Sequence, residues 1–292
     1  MTITHIANTS GLDLSYRSTD FIQSVVLTII DGDSILWIGD GGHYGTLDIR
    51  TQDYISKIAD LAGKAETNAP KVSGKMPVIF TAQELPNLIN AIELGINGMR
   101  LVKGDSPLIG REGEKALGDI TLIEDPFIPG APGSRPFDDE GVPSRRNVIF
   151  DNGEFGSFLF DSDTAGDAGR ISTSNANRGM LSVPEIGLSN LVVSSGVSTL
   201  GEMTAGMKEG IIVHGVLGGG QSNLLAGDFS LNVMLGFLIR DGEYAGRITD
   251  TMVSGNVYEA FNAVSALNSR TTQVGSLFVP DVMFSALDVS GK

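Results

Sequence analysis

The chain has 292 residues, no cysteine and three scattered histidines, His5, His43 and His214, which excludes disulfides, thiolate metal clusters, a cysteine nucleophile and a histidine pair on one helix turn. Twenty Lys+Arg against 35 Asp+Glu give a net charge of −15, a surface that repels phosphate and excludes nucleic acid as a direct partner. Thirty-eight glycines with only 19% charged residues indicate a folded, turn-rich and sheet-rich protein. The first residues carry no basic-then-apolar leader pattern and the longest apolar run, Val25–Ile30, is too short for a membrane span, so the expectation is a cytoplasmic protein with no membrane partner.

In chain order, the β-branched run Phe21–Ile30, the turn Asp31–Asp33 and the return Ile35–Ile38 predict a hairpin, followed by a loop at Gly39–Gly42. Tyr54, Ile55, Ile58 and Leu61 fall on one helical face that Gly63 would end. The polar segment 64–75 reads as a boundary, giving a partial strand-and-helix domain over 1–72 and a second domain over 73–292. That second region opens with a strand, Pro77–Phe80. Thr81 and Glu84 have capping-box spacing ahead of Leu85, Leu88, Ile89, Ile92 and Ile96, with Gly98 as the helix end.

Residues 125–146 form an irregular stretch too long to be idle in a compact domain. Further strands are expected at Phe155–Phe160, Asn190–Val193, Ile211–Leu217 and Gly227–Ile239, with a hairpin turn over Arg240–Glu243. Helices are expected from Thr199, with Glu202 three residues on, and from Asn256, with Glu259 three residues on. The fold class is α+β: a large, mostly antiparallel sheet with a few packed helices.

No residue cluster gives a catalytic constellation. Asp161, Asp163 and Gly166 begin like a calcium loop, but Ala165 and Ser172 stand where ligands are needed, so a polar turn is the plainer reading. Gly215–Ser222 lacks the lysine of a phosphate loop and suits a bulge or a close backbone approach. Gly196–Gly201 misses a nucleophile elbow, and Ser198 or Thr199 suits a helix N-cap. His214, inside an apolar strand, reads as a core histidine. Asp138, Asp139 and Glu140 read as a solvated loop, neutralised by Arg145 and Arg146.

Taken as strings, Pro129-Gly130, Ser134–Gly141 (SRPFDDEG), Thr164-Ala165, Ser172–Arg178 (STSNANR), Asn190–Val193, Gly227–Ser230 and Ile248–Asn256 keep the order and spacing of the TldD/PmbA family, long labelled modulators of DNA gyrase. His5–Thr19 resembles the strand region preceding that domain, and the Pro-Phe-Asp-Asp-Glu-Gly run is closest to the PmbA (TldE) branch. The resemblance implies a metalloprotease system that cleaves unstructured peptides. In it a TldD-type subunit holds zinc with a His-Glu-x-x-x-His helix and a distant cysteine, and the PmbA/TldE-type subunit lacks them.

The matching positions here fall near Ala91, Ile92 and Ile96, with Leu217 at the cysteine position, and none of these side chains can ligate zinc. The resemblance therefore implies no catalytic and no metal-binding residue in this chain, and a zinc ion only in a TldD-type partner. It also implies a start inside the family's middle domain, whether by a short form, a fragment or a mis-assigned start. The candidate interface or chamber residues are Arg135, Phe137, Asp138, Asp139, Glu140, Asn175, Arg178, Gly218, Gly219 and Gly220. The expected partners are a TldD-type subunit or a second copy, with peptide as substrate. The rival readings are a divalent-metal hydrolase built from Asp138, Asp139, Glu140 and His214, and a self-associating scaffold.

Overall fold

The computed structural model describes residues 1–32, 34–179, 181–218 and 223–291. The chain opens with two hairpins, β1 (Thr2–Ala7) with β2 (Asp13–Ser18) and β3 (Phe21–Asp31) with β4 (Ser34–Tyr44), then helix α1 (Thr51–Lys64) and strand β5 (Ser73–Phe80). Helices α2 (Pro86–Gly95) and α3 (Gly98–Lys103) lead to β6 (Leu122–Glu124), β7 (Asn147–Asp151), β8 (Glu154–Phe155), α4 (Ser162–Asp167), β9 (Ala176–Asn177), β10 (Glu185–Ile186) and β11 (Leu191–Val193). Helix α5 (Leu200–Ala205) precedes β12 (Glu209–Gly218), β13 (Asp228–Arg240), β14 (Glu243–Arg247) and β15 (Thr251–Asn256). Helix α6 (Val257–Asn262), β16 (Val264–Val274) and β17 (Leu277–Gly291) complete the order.

The large sheet closes on itself. β5 pairs with β12, β12 with β13, β13 with β15, β15 with β17, and β17 with β5, so the hydrogen bonds run round a complete ring. Closure leaves no unpaired edge within the ring, while β14, β16 and β8 stay at the margins with one partner strand each. Most of these pairings are antiparallel; β5–β12 and β11–β17 are parallel. Alternate residues of the strands point to opposite sides. Val78, Phe80, Ile211 and Val213 enter the main core with α2 and α6, whereas Ile79 and Ile212 face a second cluster. There Leu36 and Ile38 of β4, Ile58 and Leu61 of α1, and Met203 of α5 cover the sheet.

Most predicted elements form, and the departures have local causes. Gly39–Gly42 continues β4 to Tyr44, because each glycine has a register partner in β3. Gly41 sits where a Cβ would meet the Gln23 carbonyl, so the glycines permit close strand approach here and make no loop. The Thr81–Glu84 capping box does not form. The Thr81 hydroxyl donates to the Val213 carbonyl at 3.1 Å, and α2 starts at Pro86 with no side-chain cap.

Helix α2 ends at Gly95, and Gly98 begins the separate α3, capped by the Asn97 side chain accepting from Met99 N–H at 2.9 Å. Phe155–Phe160 is a strand only at its first residue. Its phenylalanines are buried by side-chain packing, and Phe160 N–H is satisfied by the Thr173 hydroxyl at 2.6 Å. Ile55, expected on the buried face of α1, is exposed, while Tyr54, Ile58 and Leu61 are buried. The Thr199–Glu202 capping box is complete, and Asn256 caps α6. No helix among the described residues is long and apolar enough to cross a membrane.

Candidate functional site

Helix α2 carries the positions matched to a zinc-binding motif. Ala91 and Ile92 have no exposed surface and Ile96 is 1% exposed. All three belong to the main core, where the Tyr258 hydroxyl donates to the Ala91 carbonyl at 3.4 Å. Leu217, matched to the distant ligand, is exposed near the end of β12. Gly218 ends that strand at φ +103, and Gly219 and Gly220 lie outside the described residues.

The 125–146 segment is an ordered polar assembly, and its acidic run is not a solvated loop. Asp138 is fully buried: its Oδ1 accepts the amides of Glu140 and Val142 at 3.0 and 2.9 Å, and its Oδ2 accepts that of Ala176 at 3.1 Å. Asp139 accepts Arg178 N–H at 2.7 Å, and Glu140 accepts Ser162 N–H at 2.8 Å. Asp138 thus fixes its own turn with amides that let its charge be buried without a cation, and Asp139 and Glu140 tie the segment to the chain at Arg178 and Ser162. Arg146 pairs with Asp125 at 2.5 Å, so it does not neutralise the acidic run. Phe137 packs edge-on to Tyr16 at 5.2 Å, tying the segment to the first hairpin. Arg135 has Nε and Nη2 buried with no hydrogen-bond partner among the described residues.

Beneath this segment lies a network with no sequence motif of its own. Glu124, 1% exposed, accepts at Oε1 from Asn175 Nδ2, Ser189 N–H and Ser189 Oγ at 2.9, 2.9 and 2.7 Å. Its Oε2 accepts from Asn147 Nδ2 at 2.6 Å. Asn190 bridges the Asp125 carbonyl and Gly133 N–H. Glu124, Asn147 and Ser189 have no signal in the sequence because each is an isolated polar residue at an end of, or just before, a short strand; Asn175 and Asn190 lie inside recognisable runs.

Asp161, the first residue of the calcium-like run, is the N-cap of α4 and accepts from Thr164 N–H at 2.8 Å and Thr164 Oγ1 at 2.6 Å. No group of three or more His, Asp or Glu side chains placed to hold a metal ion occurs among the described residues. His214 is the extra residue of a β12 bulge, since Val213 faces Gly236 and Gly215 faces Leu235. Its ring stacks edge-on with Phe237, its Nε2 is buried with no partner among the described residues, and burial pulls its pKa down to about 3 with help from Lys57 and Lys64. Burial also pushes the Glu84 carboxyl up to about 7, against the amide of Val216 and the side chain of Asn87, which both donate to it.

On the solvent side of α2 a cavity of about 170 Å³ is walled by Leu94, Leu159, Ile186 and Leu188, with Asn90 and Glu93 opening into it. A second cavity of about 460 Å³ adjoins it, sharing Leu94, Asn97 and Ile186.

The solved structure of TldE from Thermococcus kodakarensis superimposes over 99% of this chain and 67% of its own, with TM-score 0.92 and 28% identity. A protein from Thermotoga maritima described as a modulator of DNA gyrase does so over 99% and 66%, with TM-score 0.89 and 25% identity. An uncharacterized protein of Methanocaldococcus jannaschii is 27% identical over 96% of this chain and 65% of its own length. An Archaeoglobus fulgidus protein named metalloprotease is 27% identical over 86% and 62%. The chain thus spans less than two thirds of the length of these two relatives. Residues 73–291 match the model of the PmbA/TldA metallopeptidase C-terminal domain, and the chain belongs to that family.

Proposed function

We propose that this chain is a non-catalytic, PmbA/TldE-like subunit of a TldD-type zinc metalloprotease that cleaves unstructured peptides in the cytoplasm. The observation that carries this reading is the burial of Ala91, Ile92 and Ile96 in the main core. A hydrolytic zinc site needs about three nitrogen, sulfur or oxygen ligands and an open position for water. The α2 positions offer apolar side chains aimed at packing partners, and Leu217 offers a fourth, so the residues do not fit zinc. The chain's part is to shape the peptide chamber and hold the catalytic subunit in register.

A second observation supports a subunit role. Ile22, Val26, Ile30, Ile35 and Trp37 of the β3–β4 hairpin are each half or more exposed, while Leu36 and Ile38 on the other face are buried. A hairpin apolar on both faces is built to be covered on both. The rival hydrolase reading is less well supported, because Asp138 accepts three backbone amides, Asp139 and Glu140 each accept another, and His214 belongs to a bulge of the closed ring.

The test is co-expression with a TldD-type subunit from the same source. A stable complex with zinc-dependent peptidase activity is expected, and the activity should survive when this chain alone is depleted of metal before mixing. Recovery of the two chains separately, or zinc bound stoichiometrically by this chain, would refute the reading.

A further inference from the structure

Among the described residues the half-buried Glu93 carboxylate has no hydrogen-bond or ion-pair partner, although it opens into a cavity whose walls are otherwise mainly aliphatic. Elsewhere in this protein carboxylates removed from water are satisfied: Asp138 by three amides, Glu124 by four donors. Glu93 is therefore a buried-side acceptor with an unmet demand, and the natural complement of a partly desolvated carboxylate is a cation.

Cavity size and wall chemistry narrow the cation. About 170 Å³ is well below the roughly 300 Å³ at which sites for whole small molecules begin. It suits one side chain. Leu94, Leu159, Ile186 and Leu188 match an aliphatic stem, and the Asn90 carboxamide stands at the mouth. Lysine and arginine combine an apolar stem with a charged head in this way. A bare metal ion is a poor occupant, because no three-residue ligand group exists among the described residues. The adjoining cavity of about 460 Å³, with Asp163 and Glu185 exposed on its rim, gives the rest of a chain somewhere to lie. Of the cations at that second cavity, Arg100 is engaged by Asp105 at 3.2 Å, and Lys103 lines it without lining the Glu93 cavity.

We propose that the α2 cavity is a capture site for one lysine or arginine side chain of an extended peptide, with Glu93 as its counter-ion and the adjoining cavity holding the neighbouring residues. The raised pKa of the Glu93 carboxyl, caused by burial, agrees with a group waiting for a positive partner. The proposal builds on the peptide-handling part of the function above, not on the partner subunit, since the whole cleft belongs to this chain.

The experiment uses the purified chain and fluorescently labelled heptapeptides Ala-Ala-Leu-X-Leu-Ala-Ala, with X as Lys, Arg, Gln, Leu or Glu, read by anisotropy. The Lys and Arg peptides are expected to bind about tenfold more tightly than the Gln and Leu peptides, the effect of one charge-assisted bond. The Glu peptide should be weakest. Glu93→Gln, which keeps size and removes charge, should abolish the discrimination without changing the Leu peptide. Glu93→Lys should invert it in favour of the Glu peptide. N-acetyl-lysine methylamide should compete far less well than the Lys peptide, because it leaves the adjoining cavity empty.

Equal binding of all five peptides to the native chain would overturn the proposal whatever the variants do, and so would discrimination that survives in Glu93→Gln. Competition by the lysine amide as strong as by the peptide would reduce the site to a simple amine pocket and overturn the peptide assignment. Loss of this binding with an intact heteromeric complex would refute the capture site alone, and the converse would refute only the subunit role.

Discussion

The Glu124 carboxylate and the Asn175 carboxamide bond to each other at 2.9 Å where neither side chain reaches solvent, one the last residue of a three-residue strand and the other 51 positions away. The pair joins the central sheet to the segment that carries the family's most recognisable runs. With Ser189 and Asn147 supplying the remaining donors, an anion sits in the interior with every bond made by neutral groups. Replacing Asn175 by alanine removes one donor and leaves a void. The expected loss is about 2–3 kcal/mol, read as a lower urea midpoint with an unchanged slope.

Asp138 gives a sharper case because its partners are three backbone amides. Asp138→Asn is nearly isosteric but turns an NH₂ group toward an N–H donor. A destabilisation of about 2–3 kcal/mol is expected, with protease cleavage appearing first in residues 136–145, while Asp139→Asn, which loses only the Arg178 amide at a part-exposed site, should cost under about 1 kcal/mol.

His214 sets an acid limit. Its imidazole is neutral in the fold down to about pH 3, whereas in the unfolded chain it takes up a proton near pH 6.5. Between those values the unfolded state binds more protons, so stability from this group is full above pH 6.5 and declines as pH falls toward 3. His214→Leu should flatten the dependence of the urea midpoint on pH between about 3 and 4.5, where no opposing slope from Glu84 is present, by at most about 1.4 kcal/mol per pH unit.

Glu84 acts with the opposite sign. Its carboxyl keeps its proton in the fold up to about pH 7, whereas the unfolded chain releases it near 4.5. The folded state therefore binds more protons between 4.5 and 7, and stability from this group falls as pH rises through that range. The two slopes oppose each other between pH 4.5 and 6.5. Native stability should be flatter there than in either single variant, and Glu84→Gln should leave the rising limb of His214 uncovered.

The α2 positions predict what a transplanted motif would do. Ile92→Glu places a carboxylate at a position with no exposed surface, and the expected cost exceeds about 4 kcal/mol. The triple variant Ala91→His, Ile92→Glu, Ile96→His should unfold or aggregate and gain no stoichiometric zinc by metal analysis. A folded, zinc-loaded triple variant would show that α2 can present these positions to solvent.

Periodicity and composition determined much by themselves. The β3–β4 hairpin, the α1 face through Ile58 and Leu61, the Thr199–Glu202 cap and the apolar character of Ala91, Ile92, Ile96 and Leu217 all follow from residue type at short range, where neighbours in sequence are neighbours in space. The family membership was legible for a related reason: ordered motifs over two hundred residues carry more information than any one of them. What only the tertiary structure decided is the meaning of the polar residues. Asp138 looked solvated and is fully buried, Thr81 and Glu84 looked like a cap and bond to β12, and Glu93 lines a cavity with no partner among the described residues. A charge costs little or much according to whether segments distant in sequence bring it donors, as Asn147, Asn175 and Ser189 do for Glu124, and no local pattern encodes that meeting.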